Sequence, residues 1–232
     1  MARYYHPSVM VILALDTTTP GGSTALMRGA DVVDVRASDA ARPQAERLPA
    51  DLMALLGRHG LELPDIDLYA VATGPGSFTG LRVGIATMQG LALAQGRPLI
   101  GISGLDALAW TARKIRTDVA RIATWVDAWR GEVYAALYEN GAEVMPPTVD
   151  APGHLLRNLR GATLFVGDGA AAYAHLITAA GGQVTDPAAP PIAAAVATLA
   201  AREAAAGRCP PPHAIRPLYV RRPDAEMARK SR

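Results

Sequence analysis

Short apolar blocks punctuated by Gly, Pro and Asp set the rhythm of this chain. Residues 9–15 form a run rich in β-branched side chains that Asp16 closes, which predicts a buried strand. A polar turn, Thr17-Thr18-Thr19-Pro20-Gly21-Gly22, leads to a second strand at 23–27. Arg28-Gly29-Ala30-Asp31 leads to a third at 32–37. The period then changes. Ala45, Leu48, Leu52, Leu55 and Leu56 share one face of an amphipathic helix over 44–56, ended by Gly57 and Gly60. Pro49 inside it predicts a kink or a late start, because an interior proline costs about 3 kcal/mol. A strand at 68–72, a Gly74-Pro75-Gly76 turn, a helix from Phe78, a strand at 99–102 and a helix at 104–113 complete the order βββαβαβα.

The second half repeats that order. Strands are expected at 121–126, at 133–138 and, more weakly, at 143–145 before Pro146-Pro147. A helix follows at 152–159, a strand at 163–166, a helix at 170–180, a weak strand at 183–184 and a helix at 192–206. Pro210-Pro211-Pro212 then breaks the chain before a short extended segment at 218–220. In each half an Asp (Asp16, Asp127) closes the first strand, and a glycine turn (Gly74-Pro75-Gly76, Gly167-Asp168-Gly169) follows the fourth. Such turns fall at the carboxyl ends of strands, where ligands of α/β sheets sit. The expected fold is α/β, with two ribonuclease-H-like lobes of the actin, Hsp70 and sugar-kinase superfold at 9–115 and 119–207, and a Pro- and Arg-rich segment at 208–232. A nucleotide between the lobes is an expectation by fold analogy.

The residues that would meet a nucleotide are Asp16, Thr17, Thr18, Gly74, Gly76, Ser77, Asp127, Gly167 and Gly169. A strand, a glycine turn and a helix start capped by Ser77 direct backbone N–H groups and the positive end of the helix dipole at one point, which suits an anion. Asp16 and Asp127 stand where they could orient Mg-bound water; the plainer alternative is that each bonds the N–H groups of the turn after it. In the second turn Trp129 and Arg130 are bulky enough to fill a phosphate pocket rather than form one. The helix from Phe78 is also unusual: Gly80, Gly84, Thr87 and Gly90 recur on a narrow arc. Each glycine costs up to about 1 kcal/mol there, so another backbone is expected to approach closely, from this chain or from a partner.

Composition narrows the classes. Half of the 232 residues are hydrophobic, ample for a core. No apolar window is long enough to span a membrane and no signal-type stretch precedes a cleavage site, so a cytoplasmic protein is expected. The single Cys209 excludes an internal disulfide framework and a cysteine metal cluster. His6, His59, His154, His175 and His213 include no i, i+4 pair of the kind that holds one ion on a helix. Ser77 does not sit in a G-x-S-x-G elbow. The formal net charge of +2 says little, but Arg208, Arg216, Arg221, Arg222, Arg229, Lys230 and Arg232 gather at the end. Such a tail either touches nucleic acid or an acidic partner, or is simply solvated.

Ile12-Leu-Ala-Leu-Asp-Thr-Thr18, Gly74-Pro-Gly-Ser-Phe-Thr-Gly-Leu-Arg-Val-Gly84, Gln89-Gly-Leu-Ala-Leu93, Gly101-Ile-Ser103, Asp127 with Arg130-Gly-Glu-Val-Tyr134, and Pro217-Leu-Tyr-Val-Arg-Arg222 together resemble the bacterial TsaB family, also known as YeaZ. The resemblance spans about 12–222. It implies the two-lobed fold and a dimerisation role beside the paralogue TsaD, which with the ATPase TsaE transfers a threonylcarbamoyl group to N6 of adenosine 37 in tRNA. It also implies pairing with TsaD, or with a second copy, through the helices at 44–56 and 78–94. The interface positions so implied are Gln44, Leu48, Leu52, Phe78, Gly80, Leu81, Gly84, Thr87 and Met88. TsaD-type subunits hold a metal with a His-x-x-x-His pair on the helix after the third strand; here 44–48 reads Gln-Ala-Glu-Arg-Leu. The resemblance therefore implies a non-catalytic subunit without a metal or required cofactor, with at most weak Mg-ATP or ADP at the partner seam and tRNA met only through the complex. The alternatives are an ATP-dependent kinase or metallohydrolase of the same superfold, and a self-associating homodimeric regulator that uses the same helix face.

Overall fold

The structure, a computed structural model, describes residues 9–19, 21–38, 43–159 and 161–220. The stretch 221–232, which carries most of the basic tail, and residues 1–8 lie outside the described residues. The elements in chain order are β1 (Val11–Asp16), β2 (Ser23–Arg28), β3 (Asp31–Ala37), α1 (Gln44–Arg58), β4 (Leu68–Ala72), α2 (Phe78–Gln95), β5 (Leu99–Ile102), α3 (Gly104–Ile115), β6 (Arg121–Asp127), β7 (Val133–Glu139), β8 (Ala142–Asp150), α4 (Pro152–Asn158), β9 (Leu164–Val166), α5 (Asp168–Ala172), α6 (Ala174–Ala179), β10 (Gln183–Val184) and α7 (Ala193–Ala205).

They form two five-stranded sheets, β3-β2-β1-β4-β5 and β8-β7-β6-β9-β10. In each, the first strand of its half pairs antiparallel with the second and parallel with the fourth. The repeat legible in the sequence is thus a repeat of strand order. Alternation along the strands explains the layering of the first unit. Leu13 and Leu15 of β1 join Leu48, Leu52 and Leu55 of α1 and Ile85 and Met88 of α2 in one core. Ile12 and Ala14 take the other face; α7 packs there on β1, β2, β4 and β5 with its buried Ala193, Val196, Ala197 and Ala200. In the second unit Trp125 and Phe165 meet edge to face, centroids 5.0 Å apart, among Ala123, Val133, Ala135 and Ile177.

The compact units are interleaved along the chain rather than contiguous. Among the described residues, the first comprises those within 9–73, 77–102 and 193–216; the second comprises those within 74–76, 103–192 and 217–220. α3, which the sequence places with the first lobe, buries Leu105, Leu108 and Ala112 and packs on β6, β7 and β9. α7, which the sequence places with the second, covers the first sheet.

Three elements depart from expectation. α1 starts at Gln44 and runs unbroken through Pro49. The missing N–H would have bonded the carbonyl of Ala45, an exposed residue of the first turn, so the one lost bond falls where solvent can reach it. The third strand of the second half is longer than the weak stretch at 143–145. It runs to Asp150 because β8 is an edge strand and its register shifts between Leu137↔Met145 and Ala135↔Thr148, leaving Pro146 and Pro147 at a bulge. The helix expected at 170–180 is two short helices that meet at Tyr173, whose ring packs on the core.

Candidate functional site

The β1–β2 turn is stapled from every side. Asp16, 4% exposed, closes β1, and its Oδ1 accepts the N–H of Thr18 at 2.8 Å. Thr19 Oγ1 accepts from Gly22 N at 3.1 Å, and the carbonyl of Thr18 accepts from Ser77 N at 2.7 Å. From α1, Gln44 Nε2 donates to the carbonyls of Thr17 (3.4 Å) and Thr19 (2.8 Å). The buried guanidinium of Arg47 donates to the carbonyl of Gly21 at 2.6 Å and to Asp51 Oδ2 at 2.9 Å. Thr17 and Thr18 are themselves buried. Of the expected phosphate contacts in this turn, the hydroxyl side chains have almost no open surface, and the amide of Ser77 is already engaged. Ser77 does cap α2, its Oγ accepting from Gly80 N at 3.3 Å.

The second unit repeats the aspartate turn. Asp127 Oδ1 accepts from Trp129 N at 3.0 Å, as Asp16 accepts from Thr18. Both aspartates therefore brace the turns that follow them. Asp168, not among the positions singled out by sequence, completes this arrangement: its Oδ1 accepts from Asp127 N (3.0 Å) and Gly169 N (2.9 Å). Burial pushes its carboxyl up from the usual range, partly offset by those two amides and reinforced by the charge of Asp127. Gly167 (φ 118°) and Gly169 have no room for a side chain, because a Cβ would strike the backbone of Trp125 and Val126. Gly74 (φ 100°) turns the chain after β4, and its carbonyl accepts from Gly104 N at 2.7 Å. Trp129 and Arg130 are exposed, so neither fills a pocket of its own unit. Among the described residues no group of three or more His, Cys, Asp or Glu side chains could hold a metal ion, and no helix is long and apolar enough to cross a membrane.

The small-residue row of α2 needs correction. A Cβ on Gly80 would fall 2.5 Å from Gln44 Oε1 and from the carbonyl of Thr17; one on Gly84 would lie 2.9 Å from Thr17 Cγ2. These glycines admit the chain's own β1–β2 turn, not another chain. Leu48, Leu52 and Met88 lie in the same core, and Leu81 is also buried, so they too present no side chain outward. Gln44 and Thr87 are half-buried, and Phe78 is exposed. The outward row of α2 is instead Phe78, Arg82, Ala86, Gly90 and Leu93. Arg82 stacks over the Phe78 ring at 3.8 Å, and a Cβ on Gly90 would meet nothing. The neighbouring face of α1 exposes Pro49, Ala50, Met53, Ala54 and Gly57. Spacing revealed the small residues; only the packing tells inward from outward.

A family model described as TsaD, tRNA N6-adenosine threonylcarbamoyltransferase, matches residues 35–229. An uncharacterized protein of Mycobacterium tuberculosis is 33% identical over 220 residues, covering 94% of this chain and 95% of that protein. The tRNA threonylcarbamoyladenosine biosynthesis protein TsaB of Haemophilus influenzae is 31% identical over 179 residues, covering 72% of this chain and 75% of that protein. The chain belongs to the TsaB (YeaZ) family. TsaB of Escherichia coli is 39% identical over 135 residues, 57% of this chain and 58% of that protein. A solved YeaZ structure from Pseudomonas aeruginosa superposes with a TM-score of 0.76 at 27% identity, over 90% of this chain and 99% of that one. The fold of TsaB-family members, an α/β fold with two five-stranded sheets, is therefore the fold of this chain. The residues that carried the resemblance lie at the ends of the first strands: Asp16-Thr17-Thr18 in the first aspartate turn, Asp127 and Arg130-Gly131-Glu132 in the second.

Proposed function

We propose that this chain is a non-catalytic subunit of the cytoplasmic machinery that makes threonylcarbamoyladenosine in tRNA. In this reading it pairs through the outward faces of α1 and α2 with a TsaD-family transferase, which acts with the ATPase TsaE on N6 of adenosine 37. Participation in this biosynthesis rests on family membership, since the named relatives are biosynthesis proteins of that nucleoside. The pairing rests on one observation. Two adjacent helices expose small and apolar residues along their middles, with Phe78 (54% exposed) and Leu93 (59%) at the two ends of the α2 row. Covering a side chain of that size contributes about 1.5–3 kcal/mol, and Ala86 and Gly90 between them let a partner helix come close. The same face would serve a homodimer when the transferase is absent.

The non-catalytic reading draws on α1. Where TsaD-type subunits carry two histidines, this helix carries Gln44 and Leu48, and Gln44 together with Arg47 is spent on holding three carbonyls of the chain's own turn. In this reading the chain needs no metal or cofactor of its own; Mg-ATP or ADP binds weakly, at the seam with the partner, and tRNA is met through the complex. The experiment is size-exclusion chromatography of the protein mixed with its own TsaD-family transferase. A single complex is expected, and Ala86→Arg, at an exposed position, should abolish it without lowering the melting temperature. Pairing that survives Ala86→Arg, or ATP turnover and threonylcarbamoyl transfer by the isolated chain, would overturn the reading.

A further inference from the structure

The two sheets end in four edge strands, and three of them are poor templates for further pairing. β5 and β10 are four and two residues long, and β8 carries Pro146 and Pro147 at its bulge. β3 is the exception: it has seven residues, no proline, and every residue but Asp34 exposed. Val32 (40%), Val33 (39%) and Val35 (36%) leave three branched apolar side chains in water on this one strand. Its backbone is also unspent. The N–H of Ser38 bonds inward to the carbonyl of Gly22. The alternation of an antiparallel ladder then turns the polar groups of Arg36 and Asp34 inward to β2, and those of Val35 and Ala37 outward. Val33 is skipped by the β2 register altogether. α1 packs on β2, and among the described residues no strand lies beyond β3.

We propose that β3 pairs with β3 of a second copy of this chain, antiparallel about a two-fold axis through Val35. The charges on the strand select both the partner and the register. Outward groups must meet outward groups, so Val35 can face Val33, Val35 or Ala37 of the second copy. With Val35 opposite Val33, Asp34 stands against Asp34; with Val35 opposite Ala37, Arg36 stands against Arg36. With Val35 opposite Val35, each Asp34 faces an Arg36, valine meets valine at the axis, and Val33 meets Ala37 on either side. Arg36 Nε already lies 2.8 Å from Asp34 Oδ1, so both side chains share one face of the strand. It is the face toward the end of α1, where Asp34 also meets Arg58 at 3.3 Å and His59 at 3.1 Å. A two-fold axis normal to the sheet keeps that face common to both copies and joins their charges in one network. An unrelated strand would have to reproduce this spacing of charges, whereas a second copy supplies it by symmetry. The contact is one strand wide, at the small end of interfaces, so it is reversible. It uses none of the outward residues of α1 and α2 named above and does not rest on the pairing proposed for them.

Cysteines placed on β3 of the full-length protein, with the exposed Cys209 changed to Ser, read the register directly. In such a ladder the two Val35 Cα atoms lie about 5.5 Å apart, within reach of a disulfide. Val35→Cys should therefore give a covalent dimer on mild oxidation. Val33→Cys and Ala37→Cys should stay monomeric when oxidised separately, because each lies about 13 Å from its own copy, and should cross-link when mixed. No covalent dimer from Val35→Cys, or equal yields from Val33→Cys and Val35→Cys, would overturn the proposal. Sedimentation reads the charges. Protein carrying Ala86→Arg, which removes association through the α2 row, should still dimerise reversibly. Adding Arg36→Glu, at a side chain 56% exposed, should weaken that dimer about tenfold or more, and Arg36→Lys should keep it. A dimer indifferent to Arg36→Glu, or one that Ala86→Arg alone abolishes, would refute the strand pairing. If the helix-face reading fails, the cross-linking result is unaffected.

Discussion

Gly84→Ala tests the inward reading of α2 most directly. In a free helix the change would add roughly 1 kcal/mol of stability through backbone propensity. At Gly84 the new methyl would lie 2.9 Å from Thr17 Cγ2 and 3.1 Å from Thr17 Cβ, and would press on the hydroxyl as well. Thr17 is 1% exposed, and its turn is tied down by Gln44, Arg47 and the Ser77 amide, so it has nowhere to retreat. Overpacking of this kind costs about 1–3 kcal/mol. Set against the propensity gain and the backbone shift that a clash below 3 Å demands, the upper part of that range applies, for a net loss of about 1–2 kcal/mol. At 2–4 °C per kcal/mol for a chain of this size, the melting temperature should fall by roughly 2–8 °C. Gly90→Ala on the same helix meets open space and should raise it. Urea titrations of both variants, with Thr17→Ala and the Thr17→Ala/Gly84→Ala double, form a cycle whose coupling should be about 1–2 kcal/mol. Equal, stabilising shifts for Gly84→Ala and Gly90→Ala, or no coupling to Thr17, would refute the packing argument.

Other side chains give sharper local tests. Arg47→Ala should destabilise by about 1–3 kcal/mol, because it leaves the half-buried Gly21 carbonyl unpaired and Asp51 without its guanidinium; a loss under 1 kcal/mol in urea would show that the turn holds itself. Thr17→Val should be neutral or stabilising by up to about 1 kcal/mol, since it replaces a buried hydroxyl that has no hydrogen-bond partner; a large loss would mean that the hydroxyl is satisfied. Asp168→Asn keeps an acceptor for the amides of Asp127 and Gly169 but removes a buried charge. Because the folded carboxyl titrates above its unfolded value, its contribution to stability is full below about pH 4 and is lost as pH rises through the folded value. The variant should therefore gain on the parent as pH is raised from 3 to 7, and thermal melts showing the opposite slope would exclude this assignment.

The strands of both halves were legible because β-branched runs end at Asp, Gly or Pro, and the repeat fixed their common order. What the sequence could not say was which sheet a helix covers. α3 and α7 read as the closing helices of their own halves, yet each packs on the other half's strands. Arg47 sits beside Leu48 and reads as a polar-face residue; it is buried because a distant turn lies over it. Gly80, Gly84 and Gly90 share one spacing, but two face the chain and one faces solvent. At the second aspartate turn, neither Trp nor Arg carries the usual composition signal of left-handed backbone, so the shape of that hairpin was invisible.

The interleaving of the two units has a consequence for biosynthesis of the chain itself. The first sheet is complete once β5 emerges, but the helix that covers its second face lies some ninety residues further on, at Ala193–Ala205. A nascent chain must therefore carry an apolar sheet face, with Ile12, Ala14, Ala25 and Ala70 on view, until those further residues have been translated. Fragments cut between residues 115 and 193 inherit that exposed face permanently, and the N-terminal half expressed alone should aggregate unless α7 is supplied in trans.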